Sequence, residues 1–167
     1  MKNNKPHFVL VHGAWHGGWV WTEVAQSLIY QGYSVTCPTQ TGLGERKHLL
    51  SSNITLDTFI EDIVNHIIFN NLDNVILVGH SFAGSTISGV ADILKDRINR
   101  LIYFDAVILS DGQSPFDIAP PEVVKERIAL AEKSEGKLSV PAPTPEAFGV
   151  FDIRKSIIHY LNNSQND

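Results

Sequence analysis

Ser81 stands between an apolar run and a stretch of small residues, in Val75-Ile76-Leu77-Val78-Gly79-His80-Ser81-Phe82-Ala83-Gly84. A serine hydroxyl becomes a useful nucleophile when it protrudes from a rigid scaffold while its backbone turns sharply from strand into helix. Small residues two places before and two places after the serine let strand and helix approach closely enough for that turn. Gly79 and Ala83 hold those places. The turn also puts Ser81 at a helix N-terminus, where free N–H groups and the helix dipole favour developing negative charge. The bland alternative is an exposed serine in an ordinary Gly-bounded turn. The apolar strand before Ser81 and the small-residue helix after it favour the nucleophile.

The second chemical signal is His12-Gly13-Ala14-Trp15-His16-Gly17-Gly18-Trp19, which follows the apolar run Phe8 to Val11. In a parallel sheet, loops at the carboxyl ends of neighbouring strands open onto one crevice. This loop therefore brings a backbone N–H beside the one that follows the nucleophile. Ala14 and Phe82 are the expected pair of oxyanion donors, each contributing about 3–4 kcal/mol when charge develops. His12, Gly13 and Trp15 are expected at the substrate pocket, whereas Trp19 and Trp21 suit packing of the loop against the next helix. His12 and His16 share the i, i+4 interval of some metal sites. The glycines around them argue for a loop, and no glutamate lies between them, so hydrogen bonding within the loop is expected instead of a metal. No cofactor is expected either. Gly42-x-Gly44 lacks a third glycine and a following helix, and no phosphate-loop signature occurs.

These motifs need a frame to position them. Phe8 to Val11 reads as a strand, Trp19 to Ile29 as a helix stopped by Gly32, and Tyr33 to Cys37 as a second strand closed by Pro38. Leu56, Phe59, Ile60, Ile63, Val64, Ile67 and Ile68 trace an amphipathic helix with Thr55 as N-cap and Glu61, Asp62 and Asn65 on its wet face. Asn74 to Val78 is a third strand, followed by a helix to about Lys95. Arg100 to Leu109 is a fourth strand, read as buried. The rhythm predicts an α/β fold: a mostly parallel sheet of about four strands with flanking helices, plus a small helical cap. The expected segments are a core over 1–110, a cap region over 111–150, and a final helix and tail over 151–167. Within the cap, Pro115 marks a turn, Pro120-Pro121 opens a helix, and 133–145 is a Pro-rich connector.

Composition removes several classes of function. The 167 residues hold 13 Lys+Arg against 18 Asp+Glu, a net charge of -5, which argues against nucleic-acid binding through a basic face. No apolar run reaches the roughly 18 residues of a membrane helix. The single Cys37 cannot form an internal disulfide, so one domain in a reducing, cytoplasmic setting is expected.

Taken together, FVLVHGAWHGGWVW (8–21), PTQTGLGER (38–46) and VILVGHSFAG (75–84) resemble the α/β-hydrolase superfamily, with YFDAVILSDGQS (103–114) a weaker fourth match. The resemblance is to the branch of plant methylesterases, hydroxynitrile lyases and their bacterial esterase relatives. Ala83 departs from a glycine common in relatives but is still small. The resemblance implies Ser81 as nucleophile, Ala14 and Phe82 as oxyanion donors, and a cap over an apolar pocket walled by Val123, Val124, Ile128 and Phe148. It also implies a chain order of serine, acid, histidine. Of seven histidines only His159 follows Ser81, so a self-contained triad requires it as base. Its surroundings, 152–161, read as an amphipathic helix and not as a loop after a strand. Asp105 is the best remaining acid, with a pocket-lining or loop-capping carboxylate as its alternative. His80 is expected to point away from Ser81.

The sequence thus predicts a carboxylesterase that cleaves small apolar esters through an acyl-enzyme on Ser81, with a small-molecule ester as its partner. One competing reading is a C-terminally truncated or non-catalytic family member, acting as a binding protein or as a fragment needing its missing half. That reading leaves the fourth strand as an edge for self-association or for a complementary fragment. Hydroxynitrile-lyase-like chemistry is a second alternative.

Overall fold

The computed structural model describes residues 5–148. Four parallel strands, β1 (His7–Val11), β2 (Ser34–Thr36), β3 (Val75–His80) and β4 (Ile98–Phe104), form one sheet in the order β2-β1-β3-β4. Three helices connect them: α1 (Thr22–Tyr30), α2 (Leu56–Phe69) and α3 (Ala83–Ile93). The contacts divide the chain into a unit ending at Gln113 and a second beginning at Ser114.

The period-2 alternation of the strands decides where each apolar side chain goes. Val9 and Val11 of β1 and Val75 and Leu77 of β3 join Ile63 and Ile67 of α2 and Ile87 and Val90 of α3 in one core. Leu10 and Val78 turn to the opposite face and pack with Trp21, Ala25 and Leu28. Both sheet faces are covered, which is why β3 reads as an almost unbroken apolar run.

Local signals set the helix ends. Gly32 adopts φ +83 just beyond α1, and its N–H reaches the Ile29 carbonyl at 2.8 Å. Glycine takes that left-handed conformation without a Cβ penalty. Thr55 caps α2 through a reciprocal box with Thr58.

The structure corrects the reading of several elements. β4 runs over Ile98–Phe104 and not 100–109, because Asp105 takes φ +43 and turns the chain out of the strand. Nor is β4 a buried strand. Among the described residues it pairs on one side only, with β3, and Asn99, Arg100 and Phe104 are exposed. Asp62 is not on the wet face of α2. Its carboxylate accepts the Thr41 N–H at 2.6 Å and the Thr41 hydroxyl at 2.8 Å, with Arg46 at 3.5 Å. The loop needs an acceptor for its polar groups, and Asp62 supplies one.

In the second unit, Pro115 begins a short helix, α4 (Pro115–Ile118), where a turn was expected. Ser114 caps it, its N–H and hydroxyl donating to Asp117 at 2.7 and 2.8 Å. Pro121 opens α5 (Pro121–Lys133), and a 3-10 turn, Pro145–Phe148, lies beyond the connector. A shallow groove of about 460 Å³ is lined by Phe116, Ala119, Val124 and Ile128, among others. The helix expected over 152–161 lies outside the described residues.

At the β2 edge, His7 and His66 both direct Nε2 at the Thr36 hydroxyl, at 3.1 and 2.9 Å. The hydroxyl has one proton, so at most one ring accepts it and at least one donates to the oxygen. Burial lowers the pKa of both imidazoles below 6.5, and His66 presses His7 lower still. A lowered native pKa means that the unfolded chain binds more protons below pH 6.5. The stabilisation is therefore complete above that value and is lost as pH falls through the native values. Thermal midpoints followed by circular dichroism should fall between pH 7.5 and 5. The fall should be shallower in a His7→Phe/His66→Leu variant.

Candidate active site

β3 delivers Ser81 to the carboxyl edge of the sheet, and α3 begins two residues later. Ser81 has φ +54, a left-handed conformation that costs a non-glycine residue roughly 1–2 kcal/mol. Three hydrogen bonds hold it there. The Ser81 N–H reaches the Phe104 carbonyl at 3.4 Å, while the Ser81 carbonyl accepts Gly84 N–H at 3.1 Å and Val107 N–H at 2.9 Å. The backbone of Ser81 is clamped while its side chain remains half-buried at the surface of the crevice.

The small residues earn their places by clearance. A Cβ on Gly79 would lie 2.9 Å from the Ala83 carbonyl and from Ile87, and one on Gly84 would run into the Val107 carbonyl. A Cβ on Gly13 would lie 2.9 Å from the Ser81 Cβ, so the loop after β1 passes directly beside the serine. The sequence-predicted loop and turn are therefore brought together. Among the described residues the N–H groups of Ala14 and Phe82 donate to no protein acceptor.

His12 was expected to line the pocket, and the structure places it elsewhere. It is 0% exposed, with Nδ1 2.8 Å from the Gly13 carbonyl and Nε2 accepting the Gln40 N–H at 3.1 Å. Burial pushes its pKa down to about 4, the Gly13 bond offsets this in part, and His16 lowers it further. A ring buried on both sides presents no surface to a substrate. Trp15 is half-buried with φ +63, and Gly13 is buried against Ser81. His16 donates Nδ1–H to the Ala14 carbonyl at 2.7 Å and leans on the Trp19 ring. Among the described residues no cluster of three or more His, Cys, Asp or Glu is arranged for a metal.

His80 stands in an aromatic cluster, with Trp21 and Phe104 at ring-centroid distances of 6.2 and 5.9 Å. Burial and His16 lower its pKa, and Asp105 counteracts them. Asp105 follows the last β3–β4 pair, His80 with Phe104, and so sits opposite Ser81. It is exposed, and among the described residues no imidazole is hydrogen-bonded to it. In the second unit, Val124 and Ile128 line the groove and Val123 is half-buried. His159 and the side chain of Phe148 lie outside the described residues.

Sequence reasoning missed Val107, Gln40 and the brace at Asp62. Val107 closes the elbow from beyond β4, and Gln40 is fully buried with its N–H on His12. Only Asp62 left a readable trace, because a loop carrying Thr41 and Arg46 requires a buried acceptor.

This elbow, with a parallel sheet behind it, is matched by a model of the Alpha/beta hydrolase family over residues 8–159. The chain belongs to the α/β-hydrolase family. The carbendazim hydrolyzing esterase of Nocardioides sp. (strain SG-4G) is 46% identical over 120 residues, covering 72% of this chain and 50% of that protein. Putative methylesterase 14, chloroplastic, of Arabidopsis thaliana is 34% identical over 119 residues, covering 70% of this chain and 34% of that one. Among solved structures, an extracellular α/β-hydrolase from a Paenibacillus species superposes with a TM-score of 0.83 at 32% identity. It covers 93% of this chain and 64% of its own, and is described as sharing structural and functional homology with tobacco Salicylic Acid Binding Protein 2. The chain thus spans between a third and a half of these curated relatives' length. Within it lie the sheet and elbow of an α/β-hydrolase.

The clearances around the elbow carry a direct test. Gly84→Ala forces its new methyl onto the Val107 backbone, which cannot rotate away as a side chain would. We expect a loss of about 1–3 kcal/mol in urea unfolding, as for other overpacked sites. Wild-type stability in that variant would refute the close approach.

Proposed function

We propose that this chain carries the nucleophile machinery of a serine carboxylesterase acting on small apolar esters. The observation that carries the reading is Ser81 itself: a non-glycine residue at φ +54 between strand and helix, with the Gly13 loop beside it. In this mechanism Ser81 Oγ attacks the ester carbonyl and its proton passes to a base. The carbonyl oxygen gains negative charge and takes hydrogen bonds from the Ala14 and Phe82 N–H groups. Collapse of the tetrahedral intermediate expels the alcohol and leaves an acyl group on Ser81, which water then removes. Val123, Val124, Ile128 and Phe148 are proposed as apolar walls. His159 is the proposed base and Asp105 the proposed acid. The names of the relatives, an esterase and a methylesterase, support the choice of ester over other acyl substrates.

One observation favours a second reading. Among the described residues β4 presents seven residues as a sheet edge, with Phe104 58% exposed, whereas the opposite edge strand, β2, has only three residues and ends near Pro38. Long uncovered edges pair with other strands. On this reading a complementary segment or a second copy completes the fold at β4 and supplies the base.

Turnover of p-nitrophenyl acetate and butyrate by the wild type, Ser81→Ala and His159→Ala separates the two. Loss of about 10³-fold or more in both variants supports a self-contained enzyme. Loss in Ser81→Ala alone assigns the base elsewhere, and no turnover in any form favours completion at β4. Turnover that survives Ser81→Ala overturns the nucleophile assignment.

A further inference from the structure

The pair His12 and His16, spaced like metal ligands, has no role in the mechanism above. Its hydrogen bonds point to one. A backbone N–H can only donate, so the bond from the Gln40 N–H requires a lone pair on His12 Nε2. In the neutral ring the proton is then on Nδ1, which donates to the Gly13 carbonyl at 2.8 Å. That carbonyl belongs to the same peptide unit as the Ala14 N–H. In a trans peptide, C=O and N–H point in opposite directions. His12 is fully buried, so it draws the Gly13 oxygen inward and turns the Ala14 N–H the opposite way, in a loop whose Gly13 abuts Ser81.

The next peptide is held in the same way. His16 Nδ1–H donates to the Ala14 carbonyl at 2.7 Å, and the following residue, Trp15, is left in a left-handed conformation at φ +63. The carbonyls on both sides of Ala14 are thus pinned by imidazoles four residues apart. A ring bonded on both nitrogens cannot flip, and a carbonyl accepting a hydrogen bond polarises its own amide and makes the N–H a better donor. Burial keeps His12 neutral well below pH 7, so the arrangement persists across the physiological range.

We propose that His12 and His16 are positioning residues for the Ala14 N–H as an oxyanion donor: His12 aims and polarises it through the Gly13 carbonyl, His16 fixes the following peptide, and Gln40 locks the His12 tautomer. This rests on the reading of Ser81 as nucleophile, and the test separates the two.

The full chain, labelled with 15N and 13C, is titrated with phenylboronic acid, which adds to a serine oxygen and places a boronate oxygen where the oxyanion would be. The wild type should show His12 protonated on Nδ1, and downfield shifts of both the Ala14 and Phe82 amide protons on addition. In His12→Phe the Phe82 shift should remain while the Ala14 shift is lost, with boronate affinity down about tenfold to a hundredfold. His12→Asn, whose amide can replace the Nδ1–H donor, should restore most of both. His16→Phe should weaken the Ala14 shift alone. A purely structural role would move Phe82 and Ala14 together and would not be rescued by asparagine. The proposal is overturned if His12 carries its proton on Nε2, or if folded His12→Phe keeps the Ala14 shift and the affinity. If His12→Phe does not fold, the tautomer and the asparagine and His16 variants decide. If the wild type takes up no boronate, the nucleophile reading fails. The positioning then stands or falls on the His12 tautomer and on an upfield move of the Gly13 carbonyl 13C resonance in His12→Phe.

Discussion

The left-handed Ser81 peptide is the constraint on which the rest of this structure depends. A side chain held there pays a steric cost at every moment, so the surroundings must over-determine it. They do so through backbone groups that come from three places in the chain: the Phe104 carbonyl at the end of β4, the Val107 N–H just past it, and the Gly84 N–H in the first turn of α3. The first two of these bonds cross from β3 to the end of β4 and would be lost with a change of register between those strands, whereas the Gly84 bond is local to the turn. The sheet is therefore more than a platform. Its pairing of His80 with Phe104 sets the position of the acceptor that meets the Ser81 N–H.

From that constraint follow the glycines. Gly79, Gly84 and Gly13 lie where a methyl would strike the α3 backbone, the Val107 carbonyl or the serine itself. Asp105 answers the same geometry from the neighbouring strand. Its positive φ ends β4 and returns the chain so that Val107 can reach Ser81. Two adjacent strand ends, each closing on a non-glycine left-handed residue, make the rim of the crevice. The loop at 39–46 is tied separately, through Asp62 to Thr41 and through Gln40 to His12, so the loop after β1 is linked to α2 as well as to the sheet.

Electrostatics in this half of the fold favour neutrality. Burial lowers the pKa of His7, His12, His66 and His80 and so favours their neutral forms, and in His12 the two hydrogen bonds also fix the tautomer. A neutral imidazole that uses both nitrogens structurally has nothing left to take a proton from serine. The proposed division of labour follows: His12 and His16 shape the site, and the base is a different histidine.

The strand–turn–helix at Ser81, the Gly-rich loop after β1, the α2 stripe and the cap at Thr55 were all legible from residue order alone, because each is a local pattern. Strand alternation and helix spacing are periodicities of the backbone, and a small residue beside a sharp turn is a steric requirement of that turn. The end of β4 and the work of His12 were not legible, and the brace at Asp62 only faintly so, because each depends on a partner distant in sequence. Asp105 leaves the strand where Val107 must meet Ser81, 26 positions earlier. Asp62 is held by Thr41, and His12 is locked by Gln40. By itself the sequence determined which residues form the elbow and the loop. The tertiary structure alone decided how they are held, since hydrogen bonds between distant backbone groups leave no periodic trace in the order of side chains.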